Sequence, residues 1–308
     1  MKTRILLTNS LLKRVCLSVA LLVGASSISS IAEGEILSNA PAYDWWYGCS
    51  PTSAGMMMGY YDINGYAGLR YDNLVPGGSA ELDTFGNPGA LANQVIASSG
   101  HITDFYGEGN SASGDDVAPP YHSFNSLADF MGTSQDVVGN PNGGTTIYNF
   151  NNGSPLYYYQ MPSFGTTSSG WSYADASGMY GIYEYVTFAG YGVSTLYNQY
   201  TDNLGLSDGF TLVDFQNEID NNRVVLLHVT GHTMFGYGYE GDTIYFHDTW
   251  DADSHSMTWG TSYLDMDIYG VTVMELTGGT PVPEPGASIL LGAGLLGFAV
   301  SRRKASNG

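Results

Sequence analysis

Positive charge is almost absent from the middle of this chain. Seven of its nine basic residues lie within the first 14 or the last seven residues, which leaves Arg70 and Arg223 between them. The stretch 33–279 holds 28 of the 29 acidic residues and therefore carries a formal charge of −26. Such a surface repels nucleic acids and anionic membranes, so we expect no nucleic-acid partner.

Long apolar runs are scarce as well, and both lie at the ends. A basic start is followed by an apolar run over 15–23 and by small residues that finish at Ser30-Ile31-Ala32. This order is typical of a secretory signal peptide, so we predict that residues 1–32 are removed after Ala32. The alternative is a retained membrane anchor, although the run is short for a membrane span.

The C-terminal end, residues 280–308, has a second targeting pattern. Val282, Pro283, Glu284 and Pro285 precede an apolar stretch over 286–300, which three basic residues follow directly. Fifteen helical residues span about 22 Å, less than the ~30 Å of a hydrocarbon core. Basic residues after an apolar helix stay cytoplasmic, which leaves the bulk of the chain outside. A simple tail anchor is the alternative.

This order of elements resembles the PEP-CTERM sorting signal of Gram-negative bacteria. The resemblance implies that an exosortase recognises the protein and cuts near Pro-Glu-Pro. It also implies that the short helix anchors the chain transiently in the inner membrane. The destination would be the cell surface or the extracellular matrix.

Cysteine is the next scarcity, because only Cys16 and Cys49 are present. Cys16 would leave with the signal peptide, so Cys49 would have no partner for an internal disulfide. A single thiol in an exported protein risks oxidation, and it is either an idle buried residue or a working nucleophile.

The residues around Cys49 favour the working thiol. Residues 50–61 are predicted to form a helix with Pro51 in its first turn and with Ala54, Met57, Met58 and Tyr61 on one buried face. Cys49 then lies at the helix N-terminus, where peptide N–H groups and the macrodipole favour a thiolate and an adjacent oxyanion.

A base for this thiol is sought among the histidines. The segment 221–251 is predicted to contain three strands, over 224–229, 232–239 and 243–248, joined by tight turns. Pairing Tyr239 with Thr243 across the second turn puts His232 and Asp248 on one face, within roughly 7–8 Å between Cα atoms. His247 would then point to the opposite face. A one-residue bulge would exchange these faces.

Other roles for these residues remain open. His228, His232 and His247 could bind a metal or could be core residues, but no closely spaced ligand pair supports a zinc site. Asp251 and Asp253 could contact calcium without forming a full ligand set. We therefore predict no cofactor and no metal.

Taken together, these segments resemble the papain-like fold, in the bacterial branch related to bacteriocin leader peptidases. The resemblance is carried by WWYGCSPTSAGMMMGYYD, SLADFMGTSQ, GHTMFGYGYEGDTIYFHDTW and YGVTVMEL. It implies an α+β fold in which an N-terminal helix bearing the nucleophile packs against a C-terminal antiparallel sheet. It further implies Cys49 as nucleophile, His232 as general base and acid, and Asp248 as the group that orients the imidazole.

One position departs from that family, because Tyr43 stands where an oxyanion-binding glutamine is usual. The Tyr43 hydroxyl or the Trp46 indole N–H would have to substitute, or the oxyanion hole is weak. The connections PNGGTTIYNFNNGSP and MPSFGTTSSGWS are expected to line a substrate cleft.

The sequence therefore predicts one peptidase-like domain over 33–279. The leading hypothesis is a surface-sorted thiol hydrolase, most simply a cysteine peptidase acting on a peptide or protein. The alternatives are a non-catalytic matrix or adhesion protein on a degraded peptidase scaffold, and an acyl transferase with the same triad.

Overall fold

A computed structural model describes residues 34–77, 79–107, 124–135, 140, 144–166, 170 and 172–281. The predictions for the signal peptide and for Val282 to Pro285 with the apolar stretch after them lie outside these residues. Within them, the predicted α+β class is confirmed, since helices accompany a large antiparallel sheet.

Six α-helices occur in the described part of the chain, together with 3-10 helices over Tyr158–Phe164 and Asp202–Leu204. The α-helices are α1 (Cys49–Asn64), α2 (Leu91–Ile96), α3 (Ser99–Gly107), α4 (Leu127–Phe130), α5 (Gly178–Phe188) and α6 (Leu212–Asp220). The last one begins with a capping box, in which the Thr211 side chain and the Asp214 side chain each bond the other's backbone N–H. Phe215 and Ile219 are buried on this helix, as their spacing predicts.

Nine strands of the described residues form one sheet in the order β3-β4-β10-β5-β6-β7-β8, with β1 beside β6 and β9 beside β10. Every pairing in this sheet is antiparallel. The strands are β1 (Gly34–Ile36), β2 (Leu69–Arg70), β3 (Leu156–Tyr157), β4 (Gly192–Tyr200), β5 (Val225–Val229), β6 (His232–Glu240), β7 (Thr243–His247), β8 (His255–Thr258), β9 (Ser262–Tyr263), β10 (Met266–Thr277) and β11 (Thr280–Pro281). The short β2 and β11 pair separately.

Helix α1 is buried on all sides, which differs from the single buried face predicted for it. Residues 50–62 are all buried. Two glycines allow this close packing, because a Cβ at Gly55 would lie 2.5 Å from Ile96 Cγ1, and one at Gly59 would contact the Tyr43 hydroxyl. The helix also bonds the sheet, since Ser53 Oγ donates to the Thr233 carbonyl and Tyr61 OH to the Met274 carbonyl. The N-terminal helix therefore packs against the late antiparallel sheet.

The β6–β7 hairpin reaches the predicted register near the site by two compensating differences. At the turn, Glu240 pairs with Thr243, one residue away from the predicted Tyr239–Thr243 pair. A bulge between Gly236 and Gly238 then shifts the ladder by one, so that Phe235 pairs with His247. That is the register in which Met234 and Asp248 are opposite each other, as predicted.

Candidate active site

A cleft between α1 and β6 brings together two of the predicted site residues, Cys49 and His232. Its volume is about 350 Å³. One wall comes from the Gly/Asn/Thr-rich connection, which was predicted to line a cleft, whereas none of the described residues of the connection over 161–172 lines it. The lining residues are Trp45, Cys49, Ser50, Gly144, Thr145, Thr146, Tyr148, Gly231, His232, Thr233 and Tyr269.

Cys49 is the first residue of α1 and is half-buried. Gly48 before it has φ +142°, and a Cβ there would lie 2.9 Å from the Pro51 ring and 3.0 Å from Thr133. A side chain at position 48 would therefore push the helix start out of place. Glycine at this position keeps the thiol at the cleft wall.

Burial raises the pKa of the Cys49 thiol. The peptide N–H groups of Thr233, Ser50 and Cys49 itself oppose this increase without cancelling it. The sequence favoured a thiolate here because of the helix N-terminus, but desolvation is the larger effect. In the free protein the sulfur is therefore protonated at neutral pH.

His232 faces the same cleft in its neutral form. Its Nε2 lies 2.6 Å from the Asp248 main-chain oxygen, and a carbonyl only accepts, so Nε2 carries the proton. Nδ1 is left as the basic nitrogen. Burial lowers the pKa of the imidazole, and the Asp248 contacts oppose this in part. The Trp250 ring stacks on it at 4.2 Å between centroids and excludes water from one side.

No hydrogen bond joins the Cys49 sulfur to the His232 ring in the described part of the chain. Both groups are uncharged at rest, because the pKa of the thiol is raised and that of the imidazole is lowered. This arrangement suits proton transfer during attack better than a preformed ion pair.

Asp248 orients His232 through its main chain, whereas the sequence assigned that role to its carboxylate. The carboxylate is almost fully buried and accepts the Trp250 N–H at 2.9 Å and the Tyr263 hydroxyl at 2.7 Å. The chain turns at Thr249, whose φ of +75° ends β7 and directs the Asp248 carbonyl toward the imidazole. The carboxylate thus stabilises the turn, and the turn positions the carbonyl that contacts His232.

The predicted oxyanion donors do not line the cleft. Tyr43 OH donates to the Glu81 carbonyl at 2.8 Å and packs against Gly59, in the third turn of α1, so its predicted role is incompatible with its position. The Trp46 indole N–H is buried and has no hydrogen-bond partner among the described residues. The N–H groups that lie beside the Cys49 sulfur are those of Thr233, Ser50 and Cys49 itself. Donors of this kind leave no side-chain signal in a sequence.

The remaining histidines have structural contacts. His228 is fully buried and bonds Thr272 Oγ1 and Thr233 Oγ1. His247 bonds the Asp253 carbonyl and stacks on Tyr237. These contacts use the rings of His228 and His247, which the sequence had left open as metal ligands.

One metal-capable group occurs among the described residues, and it differs from the sets that the sequence suggested. Asp248, Asp251 and His255 place their ligand atoms within 4.8 Å of one another. His255 Nε2 lies 2.9 Å from Asp251 Oδ1 and 3.5 Å from Asp248 Oδ2. His255 Nε2 is hydrogen-bonded to Asp251 Oδ1, whereas the Asp248 carboxylate accepts its hydrogen bonds from Trp250 and Tyr263.

Comparison with protein families identifies a PEP-CTERM protein-sorting motif at residues 281–304. The predicted sorting signal is therefore confirmed. This motif marks exported, surface-sorted proteins of Gram-negative bacteria and implies recognition by an exosortase. Neither a curated protein nor a solved structure matches the chain.

No helix within the described residues combines the length and the apolar character needed to cross a membrane. The apolar stretch after Pro285 is outside those residues.

Proposed function

We propose that this protein is a thiol hydrolase delivered to the cell surface, and specifically a cysteine peptidase on a papain-like scaffold comprising residues 33–279. One observation carries the proposal: residues 183 positions apart in sequence, Cys49 and His232, line a single cleft. Neither composition nor packing of the core requires a thiol and a neutral imidazole to line the same cleft.

In the proposed reaction, the Cys49 sulfur attacks the scissile carbonyl carbon while Nδ1 of His232 takes its proton. The oxyanion accepts hydrogen bonds from N–H groups at the start of α1. His232 then gives its proton to the leaving amine, and the C–N bond breaks to leave a thioester on Cys49. Water, deprotonated by His232, attacks the thioester and restores the thiol.

The main-chain carbonyl of Asp248 supports these steps. It lies 2.6 Å from Nε2 and stabilises the imidazolium that forms when Nδ1 is protonated. The stack with Trp250 keeps the ring plane fixed throughout. We therefore assign the orienting role to Asp248 as a residue, acting through its carbonyl oxygen.

Delivery completes the proposal. The sorting motif recruits an exosortase, and we propose that the chain is held in the inner membrane by its C-terminal helix until sorting. The substrate would then be a peptide or protein at the cell surface or in the extracellular matrix.

A peptide-library digest read by mass spectrometry tests the activity. The wild-type chain should cut a subset of peptides, and Cys49→Ala should cut none while keeping the same melting temperature. Ser53→Ala is the matched control, because Ser53 lies on the same helix but outside the cleft lining, and it should leave the cleavage pattern unchanged. Equal cleavage by Cys49→Ala would refute the proposal.

A second candidate is a non-catalytic matrix or adhesion protein on a degraded peptidase scaffold. The observation that favours it is the resting pair, in which both groups are neutral and no hydrogen bond joins them. This candidate predicts an unreactive Cys49 together with binding to surface polysaccharide. A glycan-array measurement beside the digest separates the two.

A further inference from the structure

A buried chain of hydrogen bonds runs from the first turn of α1 into the sheet. Ser50 Oγ lies 2.8 Å from Thr233 Oγ1, which lies 3.3 Å from His228 Nδ1. His228 Nε2 lies 2.8 Å from Thr272 Oγ1, which lies 2.6 Å from Asn198 Oδ1. All five side chains are at most 3% exposed, so water does not compete for these contacts.

The proton positions follow from the far end of this chain. The Asn198 amide NH₂ donates to the Asn149 carbonyl, so Asn198 Oδ1 is the acceptor and the Thr272 hydroxyl must donate to it. Because the only hydroxyl proton of Thr272 is donated to Asn198, Thr272 Oγ1 can only accept from His228. His228 Nε2 must therefore be protonated and donate to Thr272 Oγ1.

Nearer Cys49, the protonation of His228 fixes the proton positions. Burial lowers the pKa of His228 to about 3, so the ring is neutral and its Nδ1 is a bare acceptor. The Thr233 hydroxyl therefore donates to Nδ1, and Ser50 must donate to Thr233. Every hydrogen bond in the chain points from Ser50 toward Asn198.

This direction affects the nucleophile because Ser50 adjoins Cys49. The Ser50 hydroxyl is one of the few groups able to donate to the Cys49 sulfur, yet its proton is engaged with Thr233. The ionisable side chains that face the sulfur are Tyr148, Tyr269 and His232. None of them carries a positive charge at rest.

We propose that His228 is a positioning residue that orients this hydroxyl chain away from Cys49 and so keeps the sulfur in its thiol form. A thiol is far less reactive toward oxidants than a thiolate, so an exported protein with a single cysteine keeps its sulfur usable. The idea that this arrangement protects a catalytic thiol rests on the proposed function, whereas the direction of the hydrogen bonds does not.

Substitutions that interrupt this chain of hydrogen bonds should make Cys49 more reactive. Thr233→Val keeps the side-chain shape and the peptide N–H but frees the Ser50 proton, which then turns to the sulfur. The apparent pKa of Cys49 should fall by about one unit, because a donor to a charged acceptor is gained. Alkylation at pH 7 should become about threefold faster, since the lower nucleophilicity of a more acidic thiol offsets part of the gain.

Interrupting the hydrogen bonds at the Thr272 end should also make Cys49 more reactive. Thr272→Val removes the acceptor at Nε2, so His228 shifts to the Nδ1–H tautomer and donates to Thr233. The Thr233 proton is then free to bond Ser50, and the Ser50 proton is free to bond the sulfur. Ser50→Ala combined with Thr233→Val should cancel the gain.

The test is the pH dependence of iodoacetamide alkylation in the full chain, read by mass spectrometry on the peptide containing Cys49. Ser53→Ala is the matched control, because Ser53 donates to the Thr233 carbonyl but not to the chain, and it should alkylate like wild type. Thr233→Ser should also behave like wild type. Unchanged or slower alkylation of a folded Thr233→Val would overturn the proposal.

A second measurement needs no variant. Nitrogen-15 NMR of the histidine rings should show His228 protonated at Nε2 in the wild-type chain, and Nδ1 protonation there would overturn the proposal. Neither readout depends on turnover. If the protein cleaves no peptide but shows faster alkylation in Thr233→Val and an Nε2-protonated His228, the peptidase proposal is rejected and the proposed direction of the hydrogen bonds stands. If it cleaves peptides but shows neither result, the peptidase proposal stands and the proposed direction is rejected.

Discussion

Exchanging Asp248 for asparagine separates two ways of holding the His232 imidazole. Because the main-chain carbonyl contacts His232, Asp248→Asn should preserve that contact. Its amide oxygen can still accept the Trp250 N–H, and its NH₂ can donate to the Tyr263 oxygen after the hydroxyl turns away. We expect a loss of about 1 kcal/mol in stability, the size of one rearranged hydrogen bond.

Asp248→Ala should behave differently, because it removes two hydrogen bonds to a buried carboxylate, at 2.9 and 2.7 Å. Each is worth about 1.5–3 kcal/mol, and partial exposure of Tyr263 favours the lower end, for a total of about 3 kcal/mol. In a domain of this size the melting temperature should fall by roughly 6–12 °C.

The catalytic readout decides the issue. A carboxylate that orients the histidine of a triad loses about 10⁴-fold in kcat when it becomes an amide. We expect less than a tenfold loss of kcat for Asp248→Asn, measured on a peptide from the library digest beside thermal melts. A loss near 10⁴ at an unchanged melting temperature would refute orientation by the carbonyl oxygen.

Three further outcomes are expected. Tyr43→Phe should cost about 1 kcal/mol in thermal unfolding, the value of its bond to Glu81, and leave kcat unchanged; a large kcat loss would restore Tyr43 as an oxyanion donor. Trp250→Ala should let water reach His232 and raise the lowered pKa of the imidazole, so that the acidic limb of the kcat/KM profile moves to higher pH; an unmoved limb would contradict that role. Burial, with a smaller contribution from Asp175, raises the pKa of Glu184 to about 7, so the folded state binds the extra proton and stability falls as pH rises from 4.5 to 7. Glu184→Gln should therefore stabilise the protein above pH 7, by about 1–2 kcal/mol after solvent screening, and have no effect below pH 4.5; equal effects at both pH values would refute this.

The sequence was a good guide to the strands that carry the histidine. Alternating apolar residues and tight turns predicted three strands over 224–248, and the observed ends differ by at most one residue. The sequence raised the possibility of a bulge but could not place it in the middle of β6, because a glycine-rich strand such as GYGYEG fits several registers equally well. Its effect on register was cancelled by the one-residue difference at the turn.

Helix α1 shows where pattern reasoning fails. Its existence followed from Pro51 and the apolar spacing, but that spacing suggested only one buried face. Gly55, Gly59 and the small Ser and Thr residues instead let neighbouring elements pack on every side. A periodicity argument counts large apolar residues and is therefore insensitive to burial through small ones.

The electrostatics of the site could not be predicted from spacing. A helix N-terminus favours a thiolate, yet the net direction depends on how much water the fold removes from the sulfur, which is a property of the packed cleft. The oxygen that holds His232 belongs to a main chain whose path is set by the turn at Thr249. Neither quantity has a residue-level signature.

The most direct test of the central claim is intact-mass spectrometry of an acyl-enzyme on Cys49. The wild-type protein is mixed with a peptide that it cleaves, or with the activated ester of that peptide, and the reaction is quenched in acid. The mass of the protein should increase by one acyl group at Cys49, and this adduct should disappear with time. His232→Ala should acylate slowly with the ester and then retain the adduct, because deacylation also needs the base. Absence of any adduct during turnover, or turnover that persists in Cys49→Ala, would contradict the account.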